Sequence, residues 1–317
     1  MGALTNWSIT RDEALYYSWY LTPVWILMNI LCFLTNGVLL AVTARSQKLR
    51  SACNVLIAIQ AFSDIISMSG SWIMIMFVYT RTFVPISTCF FLQLPFFSAL
   101  NITTGNILVI GLDRWLAVKY VAWYRNKSKL NYFAVIFVVF VTYLLLVFVV
   151  NYQTLTNDEI LCFTPDGITG KGKDAWAFTQ TVINIAVIAV YANLKRALRR
   201  HNISGDVATK RIFRSLYINV MFYVIGWVTT MTLVFIMRIL VDDPNLTQVV
   251  EFVIGLFGAV NLIVPCFVFY TQSALYKAEI RKLFGCNGSV SSEFTLRSIL
   301  SGKVFNAVQQ TTVSSSM

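Results

Sequence analysis

Seven uncharged, mostly apolar runs alternate with short polar linkers along this chain. They are Ala14–Ala44, Ser51–Thr80 (interrupted only by Asp64), Thr82–Leu112, Leu130–Asn157, Ala175–Leu194, Ser215–Met237 and Phe252–Tyr276. An α-helix rises about 1.5 Å per residue, so about 20 residues cross a hydrocarbon core of roughly 30 Å, and every run is long enough. The pattern predicts an all-α membrane protein, a seven-transmembrane helix bundle. An odd number of spans puts the two termini on opposite faces. After the seventh run, Tyr276, Ile280, Leu283 and Phe284 recur at helical spacing with Lys277, Arg281 and Lys282 between them. That is a short amphipathic eighth helix suited to an anionic lipid surface.

Composition agrees. Hydrophobic residues make up 57% of the 317 and charged residues 12%, against roughly 25% in a soluble domain. A net charge of +11 raises a nucleic-acid partner, and the placement of the charges removes it. Twenty of the 25 Lys and Arg fall in linkers 1–2, 3–4 and 5–6 and the tail; the others are Arg11, Arg81, Lys171, Lys173 and Arg238. Asp158, Glu159, Asp166, Asp174, Asp242, Asp243 and Glu251 all fall with the smaller group. Basic residues collect on the cytoplasmic side, so the N-terminus is expected outside the cell and the tail inside, in the plasma membrane. The expected organisation is an extracellular N-terminus (1–18) without a cleavable signal, a membrane domain with its amphipathic helix (19–284), and a disordered cytoplasmic tail (285–317).

Candidate chemistry is sparse. Six cysteines without CxxC spacing and a single histidine, His201, leave no zinc site. No nucleophile–base pair or metal cluster suggests an enzyme. Asp64 is the one carboxylate deep in a span, and Asn36 and Asn261 are its natural partners; such a cluster serves either as a helix staple or as a switch. It is also a candidate site for an allosteric Na⁺, with no other cofactor expected. Asn6 and Asn245 are the credible glycosylation sites, and Cys286, just past the amphipathic helix, is a candidate for lipidation.

The third span begins near Cys89 and ends at Asp113-Arg114. With the seven runs, these features resemble a rhodopsin-like (class A) G-protein-coupled receptor. Thr35-Asn36-Gly37-Val38 is similar to that family's span 1 motif, Asp64 to its span 2 Asp, and Asp113-Arg114-Trp115 to Asp-Arg-Tyr. Tyr191, Trp227 and Pro265 resemble its residues in spans 5, 6 and 7. Span 4 lacks the family's Trp, spans 5 and 6 lack its Pro, and span 7 reads VPCFV in place of Asn-Pro-x-x-Tyr. Within the superfamily, LRSACNVLIAIQAFSD, IGLDRWLAVKYVAWYR, FRSLYINVMFYVIGW and VPCFVFYTQSALYKAEIRKLF resemble the nematode serpentine chemoreceptors of the SRSX class.

The resemblance implies a chemoreceptor that binds an external small molecule or peptide and activates a heterotrimeric G protein. The alternatives are a neuropeptide receptor of the same superfamily or a seven-helix transporter; internal repeats and broken midplane helices, which would favour transport, are not evident. A retinal-binding opsin would need a lysine in span 7, and there is none. Asp113, Arg114 and Tyr191 are the expected coupling residues, Arg114 leaving Asp113 for Tyr191 on activation. The simpler alternative for Arg114 is an interfacial anchor. Cys89 and Cys162 are expected to form a disulfide, since the other cysteines lie in or beside spans or in the cytoplasm. Phe96, Phe97, Leu100, Thr179, Gln180, Trp227, Thr230 and Met231 are expected to wall an outward pocket between spans 3, 5, 6 and 7, or else to be packing core. A wall without a buried carboxylate suits a neutral or weakly polar ligand, or a peptide whose charges stay at an acidic rim near Asp158, Glu159, Asp242 and Glu251.

Overall fold

A computed structural model describes residues 8–200, 207–241 and 243–285. Asn6, His201, Asp242 and Cys286 lie outside them. Ten helices follow in order among the described residues: α1 (Arg11–Arg45), α2 (Ala52–Ser69), α3 (Ser71–Thr80), α4 (Ile86–Lys119), α5 (Val121–Asn126), α6 (Lys129–Tyr152), α7 (Gly170–Arg200), α8 (Val207–Leu240), α9 (Pro244–Gln272) and α10 (Ala274–Leu283). With α2 and α3 as one span, seven spans are long and apolar enough to cross a membrane. The chain is a multi-pass, all-α bundle.

The helix boundaries depart from the charge-based ones where local chemistry outweighs charge. α1 begins at Arg11 because Thr10 and Glu13 form a capping box, each side chain accepting from the other's backbone N–H. Exposed Tyr16, Tyr17, Trp19 and Tyr20 follow, as befits a membrane interface. α9 begins at Pro244, ahead of Phe252: Asp243 caps it, accepting from Leu246 N at 2.6 Å, and Pro244 takes the first turn, where its missing N–H costs nothing. Glu251 therefore lies inside the helix. At the other end α9 stops at Gln272, Ser273 caps α10, and Tyr276 belongs to α10.

Two features shape the bundle. The second span breaks at Gly70, where a Cβ would lie 2.7 Å from Gln93 Oε1, Phe96 Cβ and Thr164 Oγ1; only glycine lets these three groups come so close. α6 is the most apolar span and fully buries only Asn151; a half-buried stripe of Phe133, Ile136, Phe140, Tyr143 and Val147 packs on the bundle, and its remaining faces are exposed, as suits a helix at the lipid edge. In α10, Tyr276 and Ile280 are buried, while Lys277, Arg281 and Lys282 lie on its other positions. Tyr276 packs on Phe269 with ring centroids 5.0 Å apart, tying α10 to the end of α9.

Candidate functional site

At one end of the bundle the loop between α6 and α7 folds inward. Its strand β2 (Glu159–Ile160) pairs antiparallel with β1 (Val84–Pro85), and Cys162 is disulfide-bonded to Cys89 at the start of α4. Leu161, Phe163, Thr164, Asp166 and Ile168 are all buried. Phe163 fits edge-on against Trp25 and Phe252, which stack on each other 5.1 Å apart. Gln248 grips the Leu161 backbone from both sides, donating to its carbonyl at 2.8 Å and accepting from its N–H at 3.3 Å.

A buried ion cluster completes this roof. Lys173 of α7 donates to Asp166 of the loop at 3.1 Å and to Glu251 of α9 at 2.6 Å. Burial pushes the Asp166 carboxyl up to about 7, with the Glu251 carboxylate raising it further and the Lys173 ammonium pulling it down. Glu251 was expected at an acidic rim; it is instead a buried group on a cavity wall, matched by Lys173, because α9 begins earlier than charge suggests. Glu159, by contrast, is an exposed partner of Arg11, and Asp158 accepts from Thr156.

Beneath the roof lies a cavity of about 580 Å³, room for roughly twenty waters. Leu100, Trp227, Thr230 and Met231 line it, as expected of them, together with Trp25, Met68 and Ile254 from α1, α2 and α9. The other four expected wall residues stand elsewhere. Phe96 faces Gly70, and Phe97 packs on Trp176 with centroids 5.4 Å apart. Thr179 turns its hydroxyl back to the Ala175 carbonyl. Gln180 is wholly buried in an interhelical cluster, where the Asn101 Oδ1 accepts from Gln180 Nε2 (2.9 Å), Trp176 Nε1 (3.1 Å) and the Tyr143 hydroxyl (2.9 Å). The cluster binds α4, α6 and α7 together. Its signal in the sequence is the coincidence of Asn101, Gln180 and Tyr143, three groups with hydrogen-bonding side chains inside apolar spans.

Deeper in the bundle, Asp64 is fully buried and its partners differ from those expected. Its Oδ1 accepts from Thr103 at 2.8 Å and Gln60 at 3.0 Å; Gln60 in turn accepts from Asn106. Asn36 donates to the Leu262 carbonyl at 2.8 Å, which ties α1 to α9. Asn261 stands apart, its side chain packed against Gly226 of α8, where a Cβ would collide with it. A void of about 10 Å³ touches Asn36, Gln60, Asp64 and Tyr191, and the Asn36 Oδ1 is without a partner. The Asp64 carboxylate, the Asn36 carbonyl and room for one small occupant fit a hard cation or a single water.

At the opposite end, Asp113 is fully buried as the hub of a second cluster. Arg114 donates to its Oδ2 through Nε (3.0 Å) and Nη2 (2.5 Å). The hydroxyls of Tyr124 (2.8 Å) and Tyr132 (2.9 Å) and the Lys127 ammonium (3.4 Å) all reach Oδ1. Lys127 also lies over the rings of Tyr132 and Tyr124, 3.1 and 3.8 Å from their centroids, and its burial lowers its affinity for a proton. Tyr191 does not touch Arg114: its ring lies on Gly111, where a Cβ would come within 2.6 Å, and its hydroxyl has no hydrogen-bond partner. Asn245 donates to the Ile9 carbonyl at 3.1 Å, so the amide expected to carry a glycan is already engaged in joining the chain's start to α9.

The bundle thus has a roofed cavity at its disulfide end and a buried acid–base hub at the other. No curated protein matches this sequence. The profile of the serpentine-type seven-transmembrane G-protein-coupled chemoreceptors named Srsx, however, matches residues 29–284, and the chain belongs to that family.

Proposed function

We propose that the cavity at the disulfide end binds an external chemical ligand and that the Asp113–Arg114 end activates a heterotrimeric G protein. The cavity carries the reading: it is roofed, mostly apolar, within the range of small-ligand sites, and walled by Leu100 and the expected span 6 residues Trp227, Thr230 and Met231. The N-terminus then faces outward at the plasma membrane, as the distribution of Lys and Arg favours. A buried loop roofs the cavity, which favours an odorant-like small molecule over a peptide.

In the resting receptor Arg114 is held by Asp113 and the Tyr124 hydroxyl, while Tyr132 holds Asp113 in turn. Activation releases Arg114 toward Tyr191, whose ring lies on α4 at Gly111, one turn from Arg114, and whose hydroxyl has no hydrogen-bond partner. A guanidinium keeps its charge and needs a partner at each stage, so the exchange is between partners and not between charge states. Asp64 and Asn36 would hold a Na⁺ in the resting form, and Asn6 glycosylation and Cys286 lipidation belong to the same reading. A ligand screen with guanine-nucleotide exchange on co-expressed G protein tests it. Arg114→Ala should reach the cell surface and lose exchange, and Leu100→Ala with Trp227→Ala should weaken agonist potency at least tenfold. Normal signalling by the Arg114 variant would refute the coupling half; unchanged potency would place the ligand elsewhere.

A further inference from the structure

From the aqueous side a pinned loop covers most of the cavity, and Asp174, exposed and on the cavity wall, marks the edge of the opening there. The loop is pinned by the Cys89–Cys162 disulfide, by Lys173 between Asp166 and Glu251, by Gln248 on the Leu161 backbone, and by Thr164 donating to Gln93 at 3.0 Å. A ligand arriving through the loop must displace buried, mutually bonded groups anchored to α4, α7 and α9.

The side wall is different. Phe178 and Thr181 of α7 and Phe235 of α8 line the cavity, yet Phe178 is 71% and Phe235 64% exposed on the outer surface of the bundle. A residue can do both only where the cavity reaches that surface. Among the described residues, α7 and α8 touch each other far less than α8 touches α9. The level of the opening follows from helix geometry. The span from Gly170 to Ala197 is about 42 Å long at about 1.5 Å per residue, which exceeds a hydrocarbon core of roughly 30 Å by about 6 Å at each end. Phe178, eight residues in, lies about 12 Å along it and so inside the hydrocarbon of the leaflet nearest the disulfide.

We propose that the cavity opens sideways into the bilayer between α7 and α8, and that its ligand is an apolar, membrane-partitioning molecule that arrives through this portal. The proposal rests on the cavity being the ligand site. The portal's chemistry matches its surroundings: Phe178, Val234 and Phe235 are apolar, and Thr181 spends its hydroxyl on the Ala177 carbonyl at 2.9 Å. Among the described residues the ionised group nearest that side is Asp174, one helical turn toward the roof from Phe178, and an ion in the hydrocarbon would be strongly disfavoured in any case. The charges on the cavity wall, Lys173, Asp174 and Glu251, all lie toward the roof.

The test uses the whole chain in phosphatidylcholine nanodiscs with a cysteine on the cavity wall, Thr230→Cys. Thr230 is 7% exposed and lines the cavity. Two probes are compared by peptide mass spectrometry, N-cyclohexylmaleimide and a maleimide bearing a trimethylammonium group, each normalised to its rate on Asp12→Cys at the exposed start of α1. The apolar probe should label position 230 at least tenfold faster than the charged one. Thr181→Trp should slow it at least fivefold, and Phe178→Ala should accelerate it. Equal labelling by the charged probe, or rates indifferent to both portal variants, would overturn the lateral route and leave the ligand site standing. Labelling by neither probe would remove the reachable cavity, and with it both the site and the portal.

Discussion

Removing the Tyr124 and Tyr132 hydroxyls should activate the receptor without ligand. Both donate to Asp113 Oδ1, at 2.8 and 2.9 Å, Tyr124 also accepts from Arg114 at 3.1 Å, and neither carries a charge, so Tyr124→Phe with Tyr132→Phe strips three hydrogen bonds from the hub and leaves its ions in place. Hydrogen bonds to a charged acceptor contribute about 1.5–3 kcal/mol each in soluble proteins, whereas polar contacts measured within membranes average about 0.6. The hub lies at the edge of the membrane, and Lys127 and Arg114 remain to hold Asp113, so the lower figure is the safer one. At about 0.6 kcal/mol each, the three bonds then favour the resting form by about 2 kcal/mol, provided they are absent from the active form. That corresponds to about a twenty- to thirtyfold rise in basal nucleotide exchange. The assay is exchange on purified G protein with receptor in nanodiscs and no agonist, at matched surface expression and thermal stability. Basal exchange unchanged in the double variant, with each single variant equally silent, would show that the hub does not hold the resting state.

Three further outcomes follow from the packing. Asn101→Leu leaves the donors of Gln180, Trp176 and Tyr143 without their acceptor; at about 0.6 kcal/mol each it should cost about 2 kcal/mol, read as a fall in thermal unfolding temperature, while Thr179→Val should cost almost nothing. Asp166 has its folded pKa raised to about 7 from 3.8, so between these values the folded form holds a proton that the unfolded form has lost. Stability from this group therefore rises as pH falls from about 7 toward 4 and is flat above 7. Thermal unfolding at pH 8 and pH 5.5 should show that slope, and Asp166→Asn should flatten it. Gly70→Ala overpacks the junction of α2 and α3 against Gln93 and Thr164 and should cost about 1–3 kcal/mol; unaltered stability would mean that the roof yields more readily than its hydrogen bonds suggest.

The spans are legible in the sequence because lipid imposes a length and a charge rule on every helix. Boundaries are legible only where charge marks them. The Asp243-Pro244 start of α9 is a local capping signal that a charge count passes over, and it carries Glu251 into the helix and onto the cavity wall. The disulfide is legible by elimination, and the structure has it. The wall of the cavity is legible on α8, where Trp227, Thr230 and Met231 share one face. It is less so on α4, where Leu100 lines the cavity while Phe96 is drawn to the break at Gly70, a long-range closeness that no spacing within α4 encodes.

The polar interior shows the same limit from another side. Asp64 suggests a partner, and conserving the idea of one cluster leads to Asn36 and Asn261. The actual partners are Gln60 and Thr103, with Asn106 donating to Gln60, and they stand on the facing stretches of α2 and α4. Their spacing is informative once both helices are read together. Gln60 and Asp64 are four apart, and Thr103 and Asn106 three apart, so each helix presents one polar stripe. In hydrocarbon a polar stripe has no water to turn to, and two stripes of complementary donors and acceptors satisfy each other most completely face to face. Matching stripes between spans therefore locates helix neighbours better than the most conspicuous charge does. The same reasoning pairs Asn101 of α4 with Gln180 of α7 and Tyr143 of α6, so the polar groups at mid-span on α7 turn toward α4 and α6 and away from α8. The seam between α7 and α8 is where Phe178 and Phe235 bring the cavity wall to the surface of the bundle.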